Sequence, residues 1–350
     1  MQRWMVLLCA LVVFPLVACQ HPARPTASLA SPPAASRPAF APVSLPADDA
    51  PHKDLTEWWY YTGHLWDEDG QRYGFEFVVF QSVRGHYPVG YMSHFAITDV
   101  GRGEFHYASK AEPVKSVAAA LDLRVEDWTL QGGDGFDRLA AGLPGYELEL
   151  SLTSQKPAAL HHGGYISFGP AGDSYYYSRT RMDAAGQIKV GDEWRTVTGQ
   201  AWFDHQWGDF VVAAVGGWDW FSLQLDDQTE VMLFWLRDAA GNYSDVFGTY
   251  VDRGGRSIEL LPGVASIEVL DTWVSPRTGS RYPSGWKIRL ADDAELRFPL
   301  TELEVTPLVL DQELAFETMP YWEGAVQIAG TRDGVPIHGE GYVELTGYRP

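Results

Sequence analysis

Cysteine is almost missing from this chain, with two in 350 residues. A disulfide framework and a four-cysteine zinc site are thereby excluded. Positive charge is scarce too: 26 Lys and Arg stand against 46 Asp and Glu, a formal net charge of -20. Nucleic-acid binding needs clustered cations to neutralise phosphates, so nucleic acid is excluded as a partner. No apolar run reaches about 18 residues, so no bilayer-spanning helix is expected. HExxH, Gly-x-Ser-x-Gly, P-loop and Rossmann glycine patterns are all lacking. The 10 histidines are scattered, and adjacent His161 and His162 would point to opposite faces of a strand, a poor metal pair. No metal and no cofactor is expected. What the chain has instead is aromatics, 13% of its residues and 14 of them Trp. Its 45% hydrophobic content suffices for large cores, and its length for roughly two domains.

The first residues read as an export signal. Arg3 supplies the positive charge, and Trp4 to Ala18 form a short uncharged apolar stretch. It ends in Leu16-Val17-Ala18-Cys19, which resembles the bacterial lipobox, in which the cysteine is lipidated and becomes the new N-terminus. Leu16 fits the small-x-small preference of the general signal peptidase poorly. Residues 1–18 are therefore expected to leave, taking Cys9, and Cys19 to carry acyl chains as a membrane anchor. Gln20, where Asp would mark inner-membrane retention, favours the outer membrane, facing the periplasm. Residues 19–51, rich in Pro, Ala and Ser, read as a flexible tether.

From His52 onward the apolar period is two. Tyr73, Phe75, Phe77 and Val79 alternate, as do Leu148, Leu150 and Leu152, then Phe221, Leu223 and Leu225. Turn signals separate the runs, among them Asp67-Glu68-Asp69-Gly70 and Gly132-Gly133-Asp134-Gly135. No amphipathic helix of three turns is evident. An all-β fold of antiparallel barrels or bent sheets is expected. The halves also look alike. Each opens with a Trp-rich hairpin, at Trp58 and at Trp218, and they close as Gly199-Gln-Ala-Trp202-Phe-Asp204 and Gly339-Glu-Gly-Tyr342-Val-Glu344. Past these points the first half continues His205-Gln206-Trp207 and the second Leu345-Thr346-Gly347, so a shared architecture does not demand His205.

Strand alternation puts His205 and Trp207 on one face, and Asp204 with Gln206 on the other unless a bulge intervenes. A His beside an indole can protonate an alkene while the ring stabilises a developing cation; equally, it can be a hydrogen-bonded core histidine. Glu57, Trp58, Trp59 and Tyr60 could line an apolar cavity or simply pack. His94 sits mid-strand between apolar neighbours, more in the manner of a structural residue. Tyr321-Trp322-Glu323-Gly324 reads as a structured loop, with Glu323 either a site residue or a solvated one.

These residues carry a resemblance. Glu57-Trp58-Trp59-Tyr60 followed by Gly63-His64-Leu65, then Trp202-x-Asp204-His205-Gln206-Trp207-Gly208 and Trp218-Asp219-Trp220, resemble the carotenoid 1,2-hydratase superfamily. Ser275-Pro-Arg-Thr-Gly279, Tyr321-Trp-Glu-Gly324 and Gly341-Tyr-Val-Glu-Leu-Thr-Gly-Tyr348 are similar to its AttH-like branch. The resemblance implies two tandem lipocalin-like antiparallel β-barrel domains, assigned here to residues 52–210 and 211–350. It also implies a site between them for an elongated apolar ligand (isoprenoid, polyene or lipid), lined by Glu57, Trp58, Trp59, Tyr60, His94, Trp202, Trp218 and Trp220. The rival it offers is a hydratase or cyclase: His205 as general acid, Asp204 orienting it, and Trp207 stabilising a carbocation. The Tyr and Asp that the hydratases use on a later strand have no counterpart in Val231-Met232-Leu233-Phe234-Trp235. A third expectation, from the branch's association with ABC-type export systems, is an accessory subunit of a permease. The anchor is tested by labelling cells with a radiolabelled fatty acid. The chain should take up label and sediment with membranes, and Cys19→Ala should do neither; a labelled Cys19→Ala chain would refute the anchor.

Overall fold

The computed structural model describes residues 40–211, 216–238, 241–291 and 299–348, so the segment expected to be an export signal, with Cys9 and Cys19, lies outside the described residues. Period two builds strands almost throughout. Eleven of them form the first antiparallel sheet: β1 (Thr56–Asp67), β2 (Arg72–Ser82), β3 (Val89–Asp99), β4 (Glu104–Val114), β5 (Asp122–Val125), β6 (Trp128–Gly133), β7 (Phe136–Leu143), β8 (Tyr146–Ser154), β9 (Ala159–Ser167), β10 (Asp173–Val190) and β11 (Glu193–Gly208). Ten form the second: β12 (Gly217–Leu225), β13 (Glu230–Arg237), β14 (Tyr243–Val251), β15 (Ser257–Glu259), β16 (Ala265–Val274), β17 (Arg281–Leu290), β18 (Thr301–Pro307), β19 (Glu313–Leu314), β20 (Tyr321–Arg332) and β21 (Val335–Leu345). The described residues contain no α-helix, only two short 3-10 turns.

The two sheets follow one plan. Spatial order is β4-β3-β2-β1-β11-β10-β8-β7-β6-β5 in the first and β15-β14-β13-β12-β21-β20-β18-β17-β16 in the second. In both, the last strand returns to pair with the first. The register is equivalent as well: Tyr60 faces Asp204 across β1 and β11, and Trp220 faces Glu344 across β12 and β21. Each sheet curls as a barrel or half-barrel around its own core, the first around Trp59, Phe75, Phe77 and Trp128, the second around Phe221, Trp286 and Trp322. A third apolar cluster lies between them, with Tyr60, Val78, Tyr176 and Trp202 from one sheet and Trp220, Met232, Phe234 and Tyr342 from the other.

Two local expectations differ from the fold. Tyr321-Trp322-Glu323-Gly324 opens strand β20 and is no loop. Its Gly is needed because the Trp322 indole lies 1.9 Å from where a Cβ would stand, and its Glu is buried. The far end of the Pro-rich segment is also part of the fold. Val43 and Leu45 pack on the first core, and buried Asp49 takes Tyr177 Oη at 2.5 Å and Arg179 Nη2 at 2.9 Å.

Polar contacts tie the sheets together around the shared cluster. Gln224 Nε2 donates to Thr180 O and Ala201 O, His64 Nε2 lies 2.8 Å from Gly341 O, and Thr98 Oγ1 donates to Gln312 Oε1. The strongest is charged: buried Glu230 on β13 receives Lys156 Nζ at 2.8 Å and Arg181 Nε at 2.6 Å from the first sheet. Removing one member of such a group leaves the others buried and unpaired. Glu230→Ala should therefore destabilise the chain by about 3–5 kcal/mol, read as a lower midpoint in denaturant unfolding.

Candidate ligand-binding site

Between the sheets lies a cavity of about 380 Å³. Its walls come from the outward faces of the central strands. β1 gives Trp58 and Tyr60, β2 gives Glu76, Val78 and Phe80, β12 gives Trp218 and Trp220, and β13 gives Phe234 and Leu236. Met92, Met319, Val211 and Arg84 are exposed and form the rim, whereas Glu76, His94, Asp204, Trp220 and Tyr321 are buried. The ring planes cross steeply: Tyr60 on Trp220 at 88° and Trp218 on Phe234 at 72°, edge-to-face geometry that fixes each ring.

The buried end carries acids without partner cations. Glu76 and Asp204 are buried and Glu344 half-buried in its wall, Glu323 is buried behind Tyr60, and none of the four forms an ion pair among the described residues. Burial pushes the Glu76 carboxyl up to about 8, helped by the charge of Glu344. Burial likewise raises Glu344 to about 7, Asp204 to about 6 and Glu323 well above the usual range. Asp204 rises least because Tyr176 Oη at 2.5 Å, Trp202 Nε1 at 2.6 Å and Ser178 Oγ all donate to it. Glu76 therefore holds its proton at neutral pH. Tyr60 donates to Glu323 Oε1 at 2.6 Å, yet Glu76 Oε2 and Glu323 Oε2 make no hydrogen bond among the described residues.

Glu76 also heads a relay. Its Oε1 lies 3.4 Å from Tyr321 Oη, which lies 2.7 Å from His94 Nδ1. Burial holds His94 down at about 4, so the ring is neutral and its Nδ1 accepts from Tyr321. A proton donor, a hydroxyl and a neutral base thus stand in line on the wall of an aromatic pocket.

Of the residues singled out by sequence, Trp58, Tyr60, His94, Asp204, Trp218 and Trp220 line this cavity. Trp202 is buried beside it, its indole N–H spent on Asp204. Glu57, Trp59, His205 and Trp207 are not in its wall. No bulge interrupts β1 and β11 here, so these four point the other way, into the first sheet. Asp204 and His205 consequently face opposite sides of one strand, and Asp204 does not orient the imidazole. His205 Nε2 bonds Glu57 Oε1 at 2.8 Å instead, and its ring packs on Trp59 and Trp207. Of the apolar stretch Val231–Trp235 only Phe234 is in the wall, and the acids that line it arrive from β2, β11 and β21.

Glu76, Glu344, Tyr321 and Tyr176 were not anticipated. A signal existed for Glu76: Phe75, Phe77 and Val79 lie on one face and Val78 and Phe80 on the other, so both faces of β2 are covered. A carboxyl raised by burial contributes its stabilisation in full below the ordinary carboxyl value and loses it as pH rises through the folded value. For Glu76 and Glu344 that window runs from about pH 4.5 to about pH 8. The melting temperature should fall across it, and the fall should flatten in Glu76→Gln; an unchanged slope in that variant would contradict the assignment.

The AttH-like family model matches residues 36–348. The fold is similar to the crystal structure of an AttH protein from Nitrosomonas europaea, with 30% identity, a TM-score of 0.78, and 89% of this chain and 98% of that one covered. It is also similar to kievitone hydratase from Nectria haematococca, at 17% identity and TM-score 0.72, covering 89% and 94% of the two chains. CghA shares the fold at 12% identity and TM-score 0.56, over 83% and 88%. No curated protein matches the sequence. The chain belongs to the AttH-like family, and its two sheets are the paired lipocalin-like barrels of that fold.

Proposed function

We propose that this protein binds an apolar small molecule between its two barrels, at the bacterial cell envelope. Lipidated Cys19 would hold it to a membrane, by preference the outer one, with the folded part facing the periplasm. The observation that carries the binding reading is the cavity. An engineered apolar cavity of about 150 Å³ takes up benzene. At about 380 Å³ this one suits a body of two or three rings, or an isoprenoid stretch of that bulk. A longer ligand would extend past the rim at Met92 and Met319. Burying about ten CH₂-sized groups contributes ~8 kcal/mol before ordering costs.

The Glu76–Tyr321–His94 line favours a second reading, hydration of a double bond. Glu76 would pass its proton to an alkene carbon, and Trp58 and Trp218 would face the resulting cation. Water oxygen would then bond the adjacent, cationic carbon and release a proton to His94 or back to Glu76. Kievitone hydratase, which shares the fold, bears a hydratase name. In this reading the acid is Glu76, and His205 stays on the far face.

Uptake is tested by titrating an uncharged apolar fluorophore, N-phenyl-1-naphthylamine. Losing one aromatic wall forfeits about 1.5–3 kcal/mol, so Trp218→Ala should weaken binding roughly 10–100-fold. Trp207→Phe, behind the wall, should leave it unchanged. Absence of binding, or the reverse pattern, would overturn the proposal. For the second reading, a bound alkene should gain the mass of one water, and Glu76→Gln should abolish the gain.

A further inference from the structure

The face of β1 and β11 turned away from the cavity carries a cluster that apolar binding does not use. Glu57 Oε1 is 2.8 Å from His205 Nε2 and 2.7 Å from Nδ1 of His52, a residue just before β1. The three atoms lie within 4.8 Å of one another. Glu57 and His205 are fully buried, while the His52 side chain keeps 20% exposure. Strand packing does not require the histidine: in the second sheet the matching position is Leu345, a buried core residue.

The geometry points to a binding site for one divalent transition-metal ion of the zinc class, held by His52 Nδ1, Glu57 and His205 Nε2. Two imidazoles and a carboxylate form a ligand set that zinc accepts, with a fourth position left over. The outer partners are already in place, as metal-bound histidines require. His205 Nδ1 lies 3.3 Å from Tyr177 Oη, which donates to Asp49 Oδ1 at 2.5 Å. With an ion on Nε2, the proton of the neutral ring sits on Nδ1, and the bonds run in one direction, His205 to Tyr177 to Asp49. With a proton on Nε2 instead, the neutral ring presents a bare Nδ1 to a hydroxyl already committed to Asp49.

The other ligands are fixed in the same manner. Glu57 Oε2 accepts from His52 N and Gln81 Nε2, both at 2.8 Å, which turns Oε1 towards the two rings. His52 Nε2 lies 3.6 Å from Asp48 Oδ1, and its ring stacks flat on Trp207 at 4.2 Å. Metal bonds of about 2.0–2.1 Å set ligand atoms about 3.3 Å apart, so binding moves Glu57 Oε1 away from each ring nitrogen by roughly half an ångström. The partly exposed His52 provides the way in.

Cobalt(II), a spectroscopic substitute for zinc, tests the site on the purified full chain after chelator dialysis. One equivalent should bind with the visible bands of a four-coordinate ion, and zinc should displace it and raise the melting temperature. His52→Ala should bind no equivalent, while its circular dichroism without metal matches the parent's and its melting temperature is lower because Glu57 loses a partner. Glu57→Gln keeps the shape and should also lose the ion, and Tyr177→Phe should weaken binding about 10–100-fold through the outer bond. Failure of the parent chain to bind one equivalent, or retention of that equivalent in both His52→Ala and Glu57→Gln, would overturn the site.

Discussion

Side chains alternate along a strand, and in β1 and the second half of β11 both of the resulting faces are covered. One face fills the first barrel and the other meets the second barrel. Glu57, His64, Asp204, His205 and Gln206 are therefore all withdrawn from water, whichever way they point. The chain satisfies that constraint differently on the two sides. Inside the first barrel, Glu57 is matched by two histidines and a glutamine, so its charge is surrounded by donors. Burial raises the Glu57 carboxyl, but the bonds from His205 and His52 outweigh it and the group is held below its ordinary value. Between the barrels the donors are neutral hydroxyls and indoles, as on Asp204, and Glu76 meets burial by keeping its proton.

A neutral carboxylic acid costs far less to bury than a carboxylate and remains a strong donor. The pocket thus combines aromatic walls, suited to any apolar body, with hydrogen-bond donors at its buried end. An apolar ligand bearing one acceptor would satisfy both. The same acid, once it meets a double bond rather than an acceptor, becomes a proton source, so binding and hydration are two uses of one arrangement. The duplicated architecture supplies the symmetry of this arrangement: Asp204 and Glu344 occupy equivalent positions on the closing strands, opposite Tyr60 and Trp220.

Much of the fold was legible from periodicity. Alternating apolar residues and turn signals mark the strands, and the repeated closing segments anticipate the shared strand order. The opposed directions of Asp204 and His205 also follow from strand alternation. Less legible was which face would meet the cavity, because that depends on how two barrels pack and not on any one strand. The acids were hidden for the same reason. Glu76, Glu323 and Glu344 look like ordinary solvent-facing residues until both faces of their strands are known to be covered. Glu323 beside Gly324 imitates loop chemistry, although both residues serve packing. His52 lies outside any strand and meets His205 only through the fold, and Asp49 closes a segment that reads as tether.

Both uses of the pocket depend on a carboxylic acid, Glu76, that stays protonated at neutral pH in the wall of the inter-barrel cavity. Infrared difference spectroscopy measures this directly, since a protonated carboxyl shows a C=O stretch that a carboxylate lacks. At pH 7 the chain should show that band, and Glu76→Gln should diminish it by one carboxyl. A spectrum without the band, or one that Glu76→Gln leaves intact, would mean that Glu76 is ionised in the cavity wall.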